Sequence, residues 1–166
     1  MVVEIQGVLI ALVIASAWSD VRTRCIPNWL TVTGAVAGLA LHFRQSDFPG
    51  AFSSIAGLIL GLGIFMALYL AGGMGAGDVK LFGAVGALVG PQRLLLIFVL
   101  TGLLGGIAAV VLSLSRGRLG STVQRTGELL LDLSRARMPR THEDPMRLPY
   151  GAVIAGGTLL SLFVIR

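Results

Sequence analysis

The sequence predicts an all-α membrane protein, a polytopic bundle of six transmembrane segments in a single domain over residues 1–166. Hydrophobic residues make up 55% of the chain and charged residues 13%, whereas soluble domains contain about 25% charged residues. The apolar residues form runs close to the roughly 20 residues that a spanning helix needs. The positive charges gather in alternate connections between these runs.

Five of the apolar runs are long enough to cross a bilayer, and the fourth of the six is short. In chain order the runs cover residues 2–18, 28–43, 51–72, 79–89, 94–114 and 148–165. At about 1.5 Å per residue, the fourth run is shorter than a hydrocarbon core of about 30 Å. It follows a glycine-rich loop, and we expect its start, with Asp78, to lie below the membrane surface.

The first run also has a feature of a secretory signal, because Ala15-Ser16-Ala17 offers the small residues of a cleavage site. A signal peptide begins with positive charge, whereas Glu4 is the only charged residue that precedes the end of this run. We therefore expect the first run to be a membrane helix.

The distribution of arginine and lysine predicts the orientation. With six crossings, three of the 13 positive residues, Arg44, Arg93 and Arg166, fall in one set of connections, and the others fall in the opposite set. Positive residues concentrate in cytoplasmic loops, so we expect Asp20 and Asp78 at the cytoplasmic face. This bias accounts for the net charge of +5, and nucleic-acid binding is not inferred.

The longest polar stretch, residues 115–147, is predicted to be a cytoplasmic loop. Its apolar residues could form one face of an amphipathic helix on the membrane, or of a short helix packed on the bundle or on a partner. The residues near helical spacing are Val123, Gly127, Leu130, Leu133 and Met138.

Pairs of glycines four residues apart occur in four predicted helices, and small residues allow membrane helices to approach closely. The chain has no internal repeat, which argues against a transporter built from duplicated halves. The pairs are Gly34/Gly38, Gly57/Gly61, Gly86/Gly90 and Gly102/Gly106.

Two aspartates at the edges of apolar runs are the candidate functional residues. Asp20 precedes a turn in which we expect Pro27 to end the helix and Asn28 to cap the next one. Asp78 lies in the glycine-rich loop, immediately before Val79-Lys80. An ionisable group beside hydrocarbon is costly, so it indicates catalysis, ion handling or a buried ion pair.

Each aspartate also has an ordinary structural interpretation. Asp20, taken alone, is a solvated loop residue paired with Arg22 or Arg24, and Asp78 is an N-cap with Lys80 as a nearby counter-charge. A phosphate loop is not expected, because the Gly-Lys-Ser/Thr ending is missing.

Two carboxyls in a water-excluded site share a proton, so that one serves as base and the other as acid. This is the chemistry of an aspartic protease, and it needs no cofactor. The single cysteine, Cys25, leaves no disulfide and no thiolate cluster for zinc, so no metal is expected. His42 is predicted on the opposite side of the membrane from Cys25, which argues against a Cys-His pair.

These motifs together resemble the type IV prepilin peptidases, which are GxGD-type intramembrane aspartic proteases. The resemblance covers nearly the whole chain and implies an endopeptidase of the bacterial or archaeal cytoplasmic membrane. Such an enzyme removes the basic leader of a prepilin or pseudopilin at the cytoplasmic face, after a glycine, with Asp20 and Asp78 as the catalytic pair. The matching segments are Asp20-Val21-Arg22, Ile26-Pro27-Asn28, Gly75-Ala76-Gly77-Asp78-Val79-Lys80 and Leu148-Pro149-Tyr150-Gly151.

The chain is most similar to the minimal family members that serve tight-adherence (Flp) pili. It lacks the paired Cys-x-x-Cys motifs of the bifunctional members, so no N-methyltransferase activity is expected. Gly75 and Gly77 are expected to shape the loop. Lys80 is expected to tune Asp78, to contact substrate or to form a structural ion pair, and Tyr150 is expected to serve in packing.

Two other functions stay open at this point. A small transporter or channel subunit could use an aspartate pair to carry protons or bind a cation. A catalytically silent factor for pilus assembly would tolerate neutral residues at both positions. The sequence indicates neither which pilin is cleaved nor the oligomeric state.

Overall fold

The computed structural model describes residues 3–71, 74–115 and 150–164. These residues form four α-helices and no strand, which confirms the all-α class. The helix predicted inside the 115–147 loop lies outside the described residues. The helices are α1 (Val3–Thr23), α2 (Asn28–Leu70), α3 (Ala76–Ser115) and α4 (Tyr150–Val164).

Three of these helices, α1, α2 and α3, are long and apolar enough to cross a membrane, and α4 is a shorter apolar helix. The six separate segments predicted from the sequence are therefore not supported. The difference arises because two of the expected connections are local breaks inside long helices. The backbone leaves helical geometry at Ser46 and Asp47 in α2 and at Gly90 in α3.

The break in α3 combines Gly90, whose φ of 76° is in the left-handed region, with Pro91, which cannot donate a backbone hydrogen bond. The residues before and after it pack on each other. The rings of Phe82 and Phe98 have centroids 6.2 Å apart. The two halves of α3 therefore lie side by side.

The two halves of α2 pack on one stretch of α3. A Cβ on Gly38 would lie 2.7 Å from the carbonyl oxygen of Ala87, and a Cβ on Gly57 would overlap the carbonyl of Gly86. The reverse also holds, because a Cβ on Gly86 would overlap the carbonyl of Gly57. The helix backbones are in direct contact here, which only glycine permits.

The predicted glycine pairs have different outcomes. Gly34, Gly38, Gly57, Gly61 and Gly86 all lie at close helix contacts, as expected. Around Gly102 and Gly106, in the second half of α3, no described residue lies within 4 Å of either added Cβ, so the described part of the chain gives no support for a packing role there.

An aromatic cluster fills the space between α2 and the two halves of α3. Phe65 stacks on Phe82 with ring centroids 3.9 Å apart, and Phe98 packs edge-on against both rings. Phe82 is fully buried and lies one helical turn after Asp78. The cluster therefore holds the first turns of α3 against the rest of the bundle.

The break in α3 exposes carbonyl groups that side chains of α2 satisfy. The carbonyl of Ala87 has no regular helical donor because residue 91 is proline, and Ser54 Oγ donates to it over 2.8 Å. The next carbonyl, of Leu88, accepts from Nε2 of His42 over 3.0 Å. Each half of α2 thus provides one hydrogen-bond donor to a carbonyl at the break. These donors matter in a membrane, because lipid cannot hydrogen-bond to a carbonyl that has lost its helical donor.

The bundle has two distinct ends. At one, which we call the near end, α1 finishes and α2, α3 and α4 begin. At the far end, Glu4 of α1 forms an exposed salt bridge with Arg44 of α2. Exposed pairs contribute little to stability, so this contact marks where α1 and α2 meet and adds little to the free energy of folding.

Replacing Ser54 by alanine should destabilise the protein by about 1–3 kcal/mol, because the carbonyl of Ala87 would be left buried without a donor. The matched control is Ser53→Ala, which removes a partly exposed hydroxyl from the same helical turn. Thermal unfolding in detergent measures both variants. Equal melting temperatures for the two would contradict the capping role of Ser54.

Candidate active site

The turn between α1 and α2 is built by hydrogen bonds to one carbonyl. Ser19 Oγ donates to the carbonyl of Cys25 over 2.8 Å, and the Thr23 hydroxyl shares its hydrogen between the carbonyls of Ser19, at 2.8 Å, and Cys25, at 3.1 Å. The helix ends at Thr23 and the next begins at Asn28, directly after Pro27. The expected break at Pro27 is confirmed, and the turn follows Asp20 closely.

Asp20 lies in the last turn of α1 and is only 9% exposed. It falls on the buried face of that helix, one turn after Ser16, which explains why it is not in a solvated loop. Its Oδ2 atom accepts a hydrogen bond of 2.9 Å from the backbone N–H of Gly151. The alternative interpretation of Asp20 as a solvated residue paired with Arg22 or Arg24 is therefore wrong, because its partner is the start of α4.

Asp78 is the third residue of α3 and is 7% exposed. Its Oδ2 accepts a hydrogen bond of 3.1 Å from the N–H of Gly75, and its own N–H donates to the carbonyl of Gly75. Gly75 is thus the N-cap residue of α3. The Asp78 side chain accepts from its backbone N–H, as the acidic residue of a capping box does. The alternative interpretation of Asp78 as the N-cap residue is therefore wrong, because Asp78 lies three residues after that position.

The two loops of the near end meet through Ile26 and Gly77. Ile26 is buried, and a Cβ on Gly77 would lie 3.4 Å from its Cβ. Gly77 therefore allows the α1–α2 turn to lie directly on the first turn of α3. This contact brings the end of α1, with Asp20, beside the start of α3, with Asp78.

Lys80 is directed to α2 and not to the aspartates. Its Nζ donates to the side-chain oxygen of Asn28 over 2.9 Å. The same contact corrects the prediction for Asn28, which is the first residue of α2 and forms no cap, the N-cap position being that of Pro27. The pair instead joins the first turns of α2 and α3.

The functional prediction missed the start of α4. Gly151 contacts Asp20 directly, and Tyr150 lies close enough to Asp78 for the two groups to interact electrostatically. The sequence signal was Pro149 followed by a tyrosine and a glycine at the start of an apolar run. The sequence predicts only a packing role for Tyr150, because no local pattern links it to residues so far away in the chain.

The two carboxyls are brought together at the near end. Their charges are close enough to interact, and both groups are largely removed from water. Asp78 lies in the first turn of α3, and Asp20 accepts from the first turn of α4, so each is near the positive end of a helix dipole. Such a site can hold one carboxylate beside one carboxylic acid.

Most of the chain is similar to a known protein family. Residues 7–110 match the type IV leader peptidase family. The chain belongs to this family. The matched range contains both aspartates and the glycine-rich loop, and it ends before α4.

A family relative with a curated name is the prepilin leader peptidase/N-methyltransferase of Neisseria gonorrhoeae. It is 30% identical over 117 residues, which make up 67% of this chain and 41% of the relative. The chain therefore spans less than half the length of that relative. No solved structure matches the chain.

The contact between Asn28 and Lys80 is open to a double-mutant cycle. We expect Asn28→Ala and Lys80→Met to lower the melting temperature slightly, and the double variant to lose less than the sum of the two. The coupling should be about 0.5 kcal/mol, at the low end of the range for one hydrogen bond, because this contact is exposed to solvent. Additive effects on thermal unfolding would show that the contact contributes nothing.

Proposed function

We propose that this protein is an intramembrane aspartic endopeptidase that removes the basic leader of a prepilin or pseudopilin. The proposal is carried by the two buried carboxyls of Asp20 and Asp78, which come from separate helices and meet at one end of the bundle. Membership of the type IV leader peptidase family supports the reaction class. The name of the gonococcal relative supports prepilin as the substrate class.

In the proposed reaction, one carboxylate takes a proton from a water molecule whose oxygen attacks the scissile carbonyl carbon. The other aspartate is protonated and donates a hydrogen bond to the carbonyl oxygen. In the second step the C–N bond breaks, and the amine leaves with a proton from the aspartic acid formed in the first step. The products are the leader, with a new carboxylate, and the mature pilin, with a free amine.

The hydrogen bonds of the two aspartates are suited to these roles. Gly75 and Gly151 each donate to the Oδ2 atom of one aspartate. Within the described part of the chain, no hydrogen bond reaches either Oδ1 atom. We propose that the Oδ1 atoms face the catalytic water and the substrate carbonyl.

The membrane arrangement follows from helix length. At about 1.5 Å per residue, α2 with 43 residues and α3 with 40 are each about twice as long as a hydrocarbon core. Their halves also pack side by side around the breaks. We propose that each half crosses separately, which gives six crossings with α1 and α4.

With six crossings, the excess of arginine supports our proposal that the near end, with both aspartates, lies at the cytoplasmic face of the inner membrane. A prepilin would present its apolar helix to the bundle from the lipid, with its leader at the surface and the scissile bond after a glycine. We propose no methyl transfer, since one cysteine among 166 residues cannot form paired Cys-x-x-Cys motifs.

The transport alternative receives no comparable support. Both buried aspartates lie at the near end, and the acidic residue Glu4 at the far end is exposed and paired with Arg44. Among the described residues, no acidic side chain lies between the two ends.

Asp20→Asn and Asp78→Asn should each lower cleavage of a purified prepilin-like substrate by at least about 100-fold, because each removes a group that transfers protons. The matched control is Asp47→Asn, the same chemical change at an exposed residue of the far end. Product formation in detergent is the measurement, with thermal unfolding as a check of folding.

The control should retain full activity. If either active-site variant cleaves at the wild-type rate, that residue has no catalytic role. If Asp47→Asn is as inactive as the others, the loss is not specific to the carboxyl pair.

The orientation can be tested with the single cysteine, since Cys25 is exposed and lies in the turn beside Asp20. A membrane-impermeant maleimide should label Cys25 in inverted membrane vesicles but not in intact spheroplasts. The control is the variant Cys25→Ser, Ser46→Cys, which moves the thiol to the far end and should reverse the pattern. Labelling of Cys25 in spheroplasts would overturn the proposed orientation.

A further inference from the structure

The first turn of α4 meets Asp20 so closely that no side chain fits there. A Cβ on Gly151 would lie 2.8 Å from Oδ2 of Asp20, 3.0 Å from its Cβ and 3.1 Å from its Cγ. All three distances are to the same side chain. The space that any other residue would occupy at position 151 is therefore filled by the Asp20 carboxyl.

The contact also satisfies two buried groups at once. Gly151 is the second residue of α4, so its N–H has no acceptor inside the helix. Asp20 is largely buried, and the Gly151 N–H is the one hydrogen-bond donor to its carboxyl among the described residues. Losing the contact would leave both a buried donor and a buried carboxyl without a partner.

The position of this donor is set by α3. A Cβ on Gly157 would overlap Oγ1 of Thr101, and a Cβ on Gly105 would lie 3.5 Å from a methyl group of Val153. These contacts hold α4 along the second half of α3. The first half of α3 carries Asp78. The same helix therefore positions both carboxyls, that of Asp78 directly and that of Asp20 through α4.

We infer that Gly151 is a positioning residue for the peptidase reaction. Its N–H holds Oδ2 of Asp20, and its missing side chain leaves the room that the Asp20 carboxyl occupies. The inference rests on the proposed function, because it assigns Gly151 a role through Asp20.

The test compares Gly151→Ala with Gly156→Ala. Both change a glycine of α4, but a Cβ on Gly156 would make only an ordinary contact of 3.4 Å with Leu104. Gly151→Ala should lower kcat for a prepilin-like substrate by at least about tenfold, since displacing a reacting group by 1 Å can cost about 100-fold. KM should stay within about twofold, because the substrate-binding surface is unchanged. Gly156→Ala should match the wild type in both constants.

Unchanged kcat in Gly151→Ala, with Asp20→Asn inactive, would overturn the positioning role and leave the proposed function standing. If Asp20→Asn is itself active, the proposed function fails first. The two failures are therefore distinguishable.

A double-mutant cycle that combines Gly151→Ala with Asp20→Ala measures thermal unfolding and does not depend on enzymatic activity. Asp20→Ala removes two of the three atoms that a Cβ at position 151 would meet. Gly151→Ala should therefore lower the melting temperature of the wild type, but change little in the Asp20→Ala background. The inference would be overturned if Gly151→Ala lowered the melting temperature equally in both backgrounds. It would also be overturned if Gly151→Ala failed to fold and the double variant failed to fold as well.

Discussion

The organisation of this protein depends on one constraint, that polar groups surrounded by hydrocarbon must find partners inside the protein. The carbonyls freed at the break in α3 accept from Ser54 and His42. The carboxyls of the two buried aspartates accept from backbone N–H groups at helix starts. The same rule therefore accounts for the caps that stabilise the fold and for the hydrogen bonds that shape the candidate active site.

The central helix of the bundle is α3, because it packs against α2 and also supports both aspartates. Its first half is in backbone contact with α2 at Gly57 and Gly86 and carries Asp78 at its start. Its second half supports α4, whose first turn holds Asp20. The break at Gly90 lets a single helix support the site from two directions. Rigid packing of this kind suits a reaction that requires two acids in a fixed relation.

The sequence predicted those features that a short stretch of residues determines. The break at Pro27, the close contacts of Gly38 and Gly57, and the exceptional position of the two aspartates all follow from residue type and local spacing. The helix breaks were expected as full loops, because hydropathy does not distinguish a loop from two non-helical residues. The partners of Asp20 and Lys80 could not be predicted, since they depend on contacts between residues 131 and 52 positions apart.

The late position of Gly151 in the chain has a consequence for biosynthesis. Asp20 and Asp78 emerge from the ribosome well before the helix that supplies the donor to Asp20, which follows it by 131 residues. A nascent chain that ends before α4 has both acids but lacks the amide that orders one of them. The pair is therefore ordered only after α4 has been synthesised, so under the proposed function a nascent chain that stops before α4 cannot cleave its neighbours in the membrane.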